Sequence, residues 1–509
     1  MVANERPARE TPPTGEYVIE ADWVLVCEAD EPRLVRNGSV RVVGDSIEEI
    51  SDGAIRTNGK RVRARGQLLL PGFISGHTHA CLGSTSRGII EMGQPFAPPY
   101  AILETFTDDE IEALTAFNIA ELLRSGCTTH VEMSASLRQT EAYVRVARRW
   151  GVRGYPGAVL PWRHLSDVWY REDEVLLRST PATLKDIEDF REYALGINGA
   201  ENGLIRPMMT PHATDTHTPE TLTRVLEVAR ELGNGIHIHV AQSPDEVARV
   251  ERLWGKRPLE WLAELGFFTE HVFAAHLWHA DLELDIPLLR DTPTCTYAHC
   301  PSSLGAGGSN ATQPWPEMLA GGVNTSIGVD THSNDYVENI KLAVLDGRAR
   351  YFLLHEQSAV PMVMPSAWDA VNAATRDAAR GLGRDDLGRI HPGAKADFCT
   401  IDVSGFLVGA GAAPPEPLNN LLYASGAAVR HVATDGVFQF WDGTLAIDDE
   451  RRVIETAGAL MERLWGELAD QGWFQGGHSH PPGWPHTWLS STAALARAGG
   501  WAAMEIEPR

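Results

Sequence analysis

The sequence predicts an α/β protein: a (β/α)8 barrel of the TIM type joined to a small discontinuous β-sandwich built from both ends of the chain. Three observations carry this. Across residues 71–384, short apolar segments alternate with helical ones, the pattern of parallel strands joined by crossover helices. Eight such strand segments can be drawn over roughly 300 residues, the number a closed barrel needs. Both flanks of that block read as short strands. An open doubly wound sheet would need a Gly-rich phosphate loop after its first strand, and none is present.

Taken in order, residues 17–27, 39–43, 46–50 and 61–70 read as strands, with Asn37-Gly38 and Asn58-Gly59 as turn dipeptides. An apolar run over 67–74 then leads into Pro71-Gly72-Phe73-Ile74-Ser75-Gly76-His77-Thr78-His79. Thr107-Asp108-Asp109-Glu110 is a capping box that opens a helix running to Leu123. Further strands are expected at 127–133, 152–159, 205–212, 235–240, 271–277, 294–300 and 324–330. Helices fit between them at 139–150, 183–194, 219–232, 244–265 in two pieces, 282–290 and 314–320. The pattern turns β-like again at 392–402, 429–434 and 437–441. The expected domains are therefore 1–70 with 385–450 as the composite sandwich and 71–384 as the barrel. An amphipathic helix over 450–471 and a tail rich in Gly, Pro, Trp and His make up a third segment, 451–509.

Composition narrows the function. With 44 Lys and Arg against 68 Asp and Glu, the net charge of −24 argues against a nucleic-acid partner and for a small-molecule substrate. Six scattered cysteines without a Cys-x-x-Cys pair indicate free thiols in a reducing compartment. No apolar run reaches ~18 residues and the N-terminus does not resemble a signal peptide, so a cytoplasmic protein without membrane contact is expected. Gly-x-Ser-x-Gly and His-Glu-x-x-His are both missing, and His130-x-Glu132 lacks the Pro-Cys-x-x-Cys that would make it a nucleobase-deaminase zinc motif.

His77 and His79, spaced i, i+2 on a strand, point to one face and can bind one metal ion, or can be an ordinary core pair. What distinguishes the two is the ends of the other strands, which in a barrel converge on one site. Strand four ends in His212, strand five carries His237 and His239, strand six ends in His276 with His279 beyond, strand seven ends in His299 and strand eight in Asp330. So many of the 19 histidines at strand ends favour a metal site.

The segments PGFISGHTHA, HIHVAQS, AAHLWHADLE, YAHCPSS and GVDTHSND resemble the metal-dependent amidohydrolase superfamily, in its cytosine deaminase, guanine deaminase and triazine hydrolase branch. RSGCTTHVEM, MTPHATDTHTPE, HPGAKADFCTID and ATDGVFQFWDG match in kind and order, so the resemblance spans roughly residues 20–450. It implies His77, His79, His239 and Asp330 as metal ligands, and His276 as a ligand or as a partner of the metal-bound water. It also implies His212 as a substrate contact, with Gln242 and His299 added as substrate-binding candidates. His237 reads as a core histidine, and His279 and His332 as loop histidines. One divalent ion is expected, zinc by default with iron or cobalt fitting the same donors. Binuclear relatives need a carboxylate or modified lysine near the end of strand four, and Met208-Met209-Thr210-Pro211-His212 offers none.

The implied chemistry is attack of metal-bound hydroxide on a carbon–nitrogen bond, with Asp330 as general base then acid and His276 steadying the oxyanion. One departure bears on the substrate. Gln242 stands three residues after His239, where deaminases of this branch carry a proton-shuttling glutamate, and Gln cannot titrate. The expectation is therefore hydrolysis of a non-peptide amide, urea or carbamate of an apolar or aromatic small molecule. The alternatives are an aminohydrolase or dechlorinase of an N-heterocycle, and a silent scaffold, against which the full ligand set argues. Leu304 also replaces the usual asparagine after Pro301-Ser302-Ser303. Aromatic-rich stretches at 94–100, 162–170 and 477–488 suit a substrate wall or a homo-oligomer interface, and His478-x-His480 suits an adventitious metal.

Overall fold

The computed structural model describes residues 11–28, 31–83, 85, 87, 102–169, 172–303, 313–409 and 416–470. The stretches 94–100 and 477–488, Leu304, His478 and His480 lie outside the described residues. Strands β1 (Glu16–Glu28), β2 (Glu31–Val43), β3 (Ser46–Ser51) and β4 (Lys60–Pro71) come first. There follow β5 (Phe73–Thr78), β6 (Cys127–Ser134), β7 (Arg153–Ala158), β8 (Ile236–Val240), β9 (Val272–His276), β10 (Cys295–His299) and β11 (Thr325–Ile327). Last are β12 (Phe398–Asp402), β13 (Val429–Thr434), β14 (Val437–Trp441) and β15 (Thr444–Leu445).

The two ends of the chain meet in one mixed sheet of order β15-β14-β13-β12-β4-β1-β2-β3. Antiparallel pairing of Phe398 to Asp402 with Pro71 to Gln67 joins them. Asn37-Gly38, expected as a turn, lies inside β2 instead. The β1–β2 register runs unchanged from Arg36↔Trp23 to Gly38↔Ala21, with Asn37 between them at φ 53°, so the dipeptide is a local twist of a continuous strand.

The apolar run over 67–74 is not one strand. It changes sheets at Gly72, whose N–H donates to the Asp397 carbonyl, so that β4 ends in the mixed sheet and β5 begins a parallel one. A Cβ on Gly72 would stand 2.2 Å from Thr128 Oγ1, so only glycine fits that crossing. The parallel strands form two sheets, β5-β6-β7 and β11-β10-β9-β8, each strand fully buried. The segment expected as a fourth strand, 205–212, makes only single bridges: Gly154↔Ile205 and Leu160↔Pro211 on the β7 side, Met209↔Ile236 and Ala213↔His239 on the β8 side. Pro207 and Pro211 have no N–H to give, which interrupts a continuous ladder.

Helices fall where the periodicity places them, Pro219–Leu232 and Leu282–Arg290 to the residue. Thr107 caps Asp108–Arg124 with both halves of the expected box. Three helices between Asp330 and the mixed sheet had no sequence-based expectation: Tyr336–Leu354, Ala367–Ala374 and Arg376–Gly381. The first matters to the site, because the Tyr336 hydroxyl donates toward the carbonyls of Ile74 and Ile327 (2.7 and 2.8 Å) and so ties β5 to β11. At the opposite ends of the strands, fully buried Arg153 on β7 pairs with Asp397 (2.8 Å) and Asp435 of the mixed sheet. All six cysteines are buried and free, and among the described residues no helix is long and apolar enough to cross a membrane.

Candidate metal centre

The ends of β5, β8, β9 and β11 converge. His77 and His79 follow one another on the face of β5 and just past it, His239 lies on β8, His276 ends β9, and Asp330 lies three residues beyond β11. Asp330 reaches the histidines because β11 runs very close to β5. A Cβ on Gly328 would stand 2.7 Å from His77 Cβ, and one on Gly76 would stand 2.1 Å from Ser326 Oγ. The Asp330 N–H then donates to the His77 carbonyl (3.2 Å), and Thr78 bridges Asp330 in parallel register. Ala241, His276 and Asp330 take φ values of 48°, 81° and 56°. Non-glycine residues in that region cost of order 1–3 kcal/mol each and concentrate at functional sites.

Among the described residues two donor groups could hold an ion, His77/His239/His276 and His77/His79/Asp330, both fully buried and sharing His77. His77 and His79 Nε2 stand 3.6 and 3.5 Å from Asp330 Oδ1, and His276 Nε2 stands 4.0 Å from Oδ2. The outward nitrogens are poised for a cation. His79 Nδ1 meets the Met133 carbonyl (2.5 Å) and His239 Nδ1 meets the His212 carbonyl (2.6 Å). A carbonyl only accepts, so each Nδ1 carries the hydrogen and each Nε2 presents a lone pair. His77 Nε2 and both ring nitrogens of His276 are buried without a hydrogen-bond partner among the described residues. Buried polar atoms left unpaired are costly, and a bound cation or its water satisfies them.

Burial keeps the His79, His276 and His239 rings neutral, pushing His79 down to about 4, His276 to about 3 and His239 well below the ordinary imidazole value. Burial pushes the Asp330 carboxyl up, but the imidazoles of His77, His276 and His79 beside it outweigh burial and hold the group well below the ordinary carboxylate range. Neutral imidazoles around one carboxylate are the donor set of a divalent metal with a position left open.

Residues 68–445 match the family model described as the amidohydrolase family. The chain belongs to that family. It is 32% identical over 402 residues to the 5-methylthioadenosine/S-adenosylhomocysteine deaminase of Symbiobacterium thermophilum, covering 77% of this chain and 83% of the relative. Among solved structures, an adenosine deaminase from Xanthomonas campestris with bound zinc superposes with a TM-score of 0.74 at 22% identity, over 89% of this chain and 99% of the other. The atrazine chlorohydrolase of Arthrobacter aurescens, complexed with zinc, superposes with 0.73 at 20% identity, over 87% and 100%. The fold of this amidohydrolase is thus of the TIM-barrel type, and the protein is a hydrolase of carbon–nitrogen bonds other than peptide bonds, in the deaminase and triazine hydrolase branch.

Around the amidohydrolase donor cluster, the structure places the remaining expected residues unequally. His212 packs edge-on against His239 (centroids 5.1 Å apart), with its buried Nδ1 unpaired and burial pushing it down to about 3. Gln242 is half-buried on the loop after β8. Its N–H and that of Ala241 donate to the carboxylate of buried Glu246 (2.8 and 3.0 Å). His299 is turned toward other neighbours: it stacks on Trp315 (5.1 Å) and its Nδ1 meets Gln313 Oε1 (2.7 Å).

Four further residues lie close to the centre; Trp278 and Glu246 were not singled out from sequence, Trp169 falls in the stretch 162–170 expected as a substrate wall or oligomer interface, and Glu132 was named only in a motif set aside. Trp169 stands edge-on to His212 at 4.5 Å and Trp278 edge-on to His276 at 4.9 Å, both nearly buried. Glu132, one position before Met133, accepts from the Ala80 N–H (2.9 Å) and braces the turn after His79. Glu246 does the same for the turn after β8. Glu246 had a legible signal, since Ser243-x-x-Glu246 before an apolar run is a helix-opening pattern.

Proposed function

We propose that this amidohydrolase is a mononuclear aminohydrolase that replaces an exocyclic amino group of an N-heterocycle, of the aminopurine nucleoside kind, with oxygen. The observation that carries the reading is the convergence of His77, His79, His239, His276 and Asp330 on one point, in a chain whose relative at 32% identity is a deaminase of adenosine derivatives. It displaces the expectation of an amide, urea or carbamate substrate, which rested on Gln242 alone. Zinc is the proposed ion, held by His77, His79, His239 and Asp330, with His276 at the open side. When bound it would supply a Lewis acid that makes water nucleophilic at neutral pH.

The side chains do the rest. Asp330 takes a proton from the attacking water and returns it to the departing amine, which leaves as ammonia. His276, neutral with both ring nitrogens free, donates a hydrogen bond to the oxygen on which charge develops. Gln242 offers an amide N–H to a ring nitrogen where relatives of this branch offer an acid, and so assists without transferring a proton. His212, with Trp169 against it, and Trp278 against His276 wall the site with aromatic edges that suit a flat ring. His299, stacked on Trp315 and bonded through Nδ1 to Gln313, has only its Nε2, unpaired among the described residues, to offer a substrate in this reading.

The proposed frame is a closed barrel over 71–384. Its support is the run of bridges from β7 through Ile205 and Met209 to β8, and from Asp330 back to Thr78. The mixed sheet, with 1–70 and 385–450, forms the second domain, curled so that the Tyr17 hydroxyl donates to the Gly436 carbonyl (2.8 Å). A cytoplasmic homo-oligomer completes the proposal.

Gln242 favours a second reading, in which a larger amine leaves an amide or urea. A panel of zinc-loaded reactions separates the two. Ammonia from 5′-substituted adenosines or aminotriazines is expected; amine release from amides or ureas, with none from the heterocycles, would establish the second reading.

A further inference from the structure

His237 differs from the other buried histidines in what it touches. Its Nε2 lies 2.6 Å from His77 Nδ1, with both rings fully buried and set nearly perpendicular, centroids 4.8 Å apart. It sits two residues before His239 on β8, so it shares that residue's face one step deeper. Residue for residue, His79 and His239 each have a backbone carbonyl behind Nδ1, and a carbonyl leaves only one tautomer open. His77 has no carbonyl there. Behind it stands an imidazole, which can either accept or donate, so the tautomer of His77 is settled by a side chain.

The direction of that hydrogen bond decides whether His77 can bind a cation. If His237 donates, the His77 hydrogen moves to Nε2, where it faces Asp330 and blocks ligation. If His237 accepts, His77 Nδ1 holds the hydrogen and Nε2 is free, as the unpaired state of that atom allows. The second arrangement puts the hydrogen of His237 on its own Nδ1, which is buried with no partner among the described residues. A position selected only for packing would avoid such an orphan; an apolar side chain would fill it without loss.

We infer that His237 is a positioning residue for the metal centre: its Nε2 accepts the His77 Nδ1–H, fixes the tautomer that exposes His77 Nε2, and holds that ring in register with His79 and His239. The inference rests on the metal-ligand reading above. Partners one bond removed from a metal ligand typically change affinity ~10- to 100-fold when removed, and this one acts through the ligand shared by both donor groups.

The test is the zinc affinity of the purified full chain, measured by competition with a chelator of known affinity, with circular dichroism and thermal melting to confirm folding. His237→Leu removes the acceptor. His237→Gln places an amide oxygen near the position of Nε2, whereas His237→Asn is too short to reach it. Zinc affinity is expected to fall about 10- to 100-fold in His237→Leu and His237→Asn and to stay within about threefold in His237→Gln. If His237→Leu does not fold, the Gln and Asn pair, equal in polarity and different in reach, carries the comparison. Wild-type affinity in His237→Asn or His237→Leu, or equal losses in Gln and Asn, would overturn the inference. His79→Ala, run alongside, tests the reading beneath it: undiminished affinity there sinks the site itself, while its loss together with intact affinity in the His237 variants sinks the role of His237 alone.

Discussion

Asp330 has the most demanding position in the site. In the proposed reaction it binds a cation, accepts a proton and returns it, and the chain holds it there with a left-handed backbone and a glycine two residues before it. Replacing it with asparagine keeps shape and removes the proton acceptor, so kcat is expected to fall by roughly three orders of magnitude or more. Turnover near wild type in Asp330→Asn would remove the residue from the chemistry. Much at this scale was legible in sequence: His77 and His79 by their spacing, and His239, His276 and Asp330 by their places at strand ends. What could not be read is which atom of each ring faces the ion. That depends on Met133, His212 and His237, which lie on other segments and reach the ligands only through the fold.

Among the elements, the turn after β8 has the most specific bracing. Glu246 lies on the helix Pro244–Trp254 and reaches back to accept the N–H groups of Ala241 and Gln242, and the Thr214 hydroxyl also donates to it. In Glu246→Gln one carboxylate oxygen becomes an amide that faces donors, leaving an N–H unpaired at a cost of ~1–3 kcal/mol. The variant is expected to lose about tenfold or more in kcat/KM at unchanged zinc content, through a displaced Gln242. Unaltered kcat/KM would make that bracing irrelevant to turnover. Helices with strong caps, such as the one opened by Thr107, were legible because the signal is local. The segment 205–212 was read as a strand because its apolar pattern is right; its prolines, also visible, explain why it makes bridges but no ladder. The helix Tyr336–Leu354, whose Tyr336 ties β5 to β11, was missed because it carries little amphipathic periodicity, whereas Ala367–Ala374 had a legible opening in Ser366-x-x-Asp369.

For the whole molecule, burial of histidines outside the centre couples stability to pH. Burial pushes His130, His217 and His431 down to about 4 from an ordinary value of 6.5. A depressed histidine binds its proton more readily unfolded, so the stability it permits is complete above about 6.5 and is lost as pH falls toward 4. Tm should therefore drop steadily between pH 7 and pH 4.5, less so in a His431→Gln variant, and a flat profile would contradict this. Joining of the chain ends was legible from their shared β pattern. The sheet order was not, because strand neighbours separated by hundreds of residues leave no periodicity to read. The most direct measurement of the central claim is the metal content of the purified chain. We expect about one equivalent of divalent metal per wild-type chain and less than about a tenth in the His77→Ala/His239→Ala double variant. A double variant that keeps a full equivalent would show that the ion, and the chemistry assigned to it, lies elsewhere.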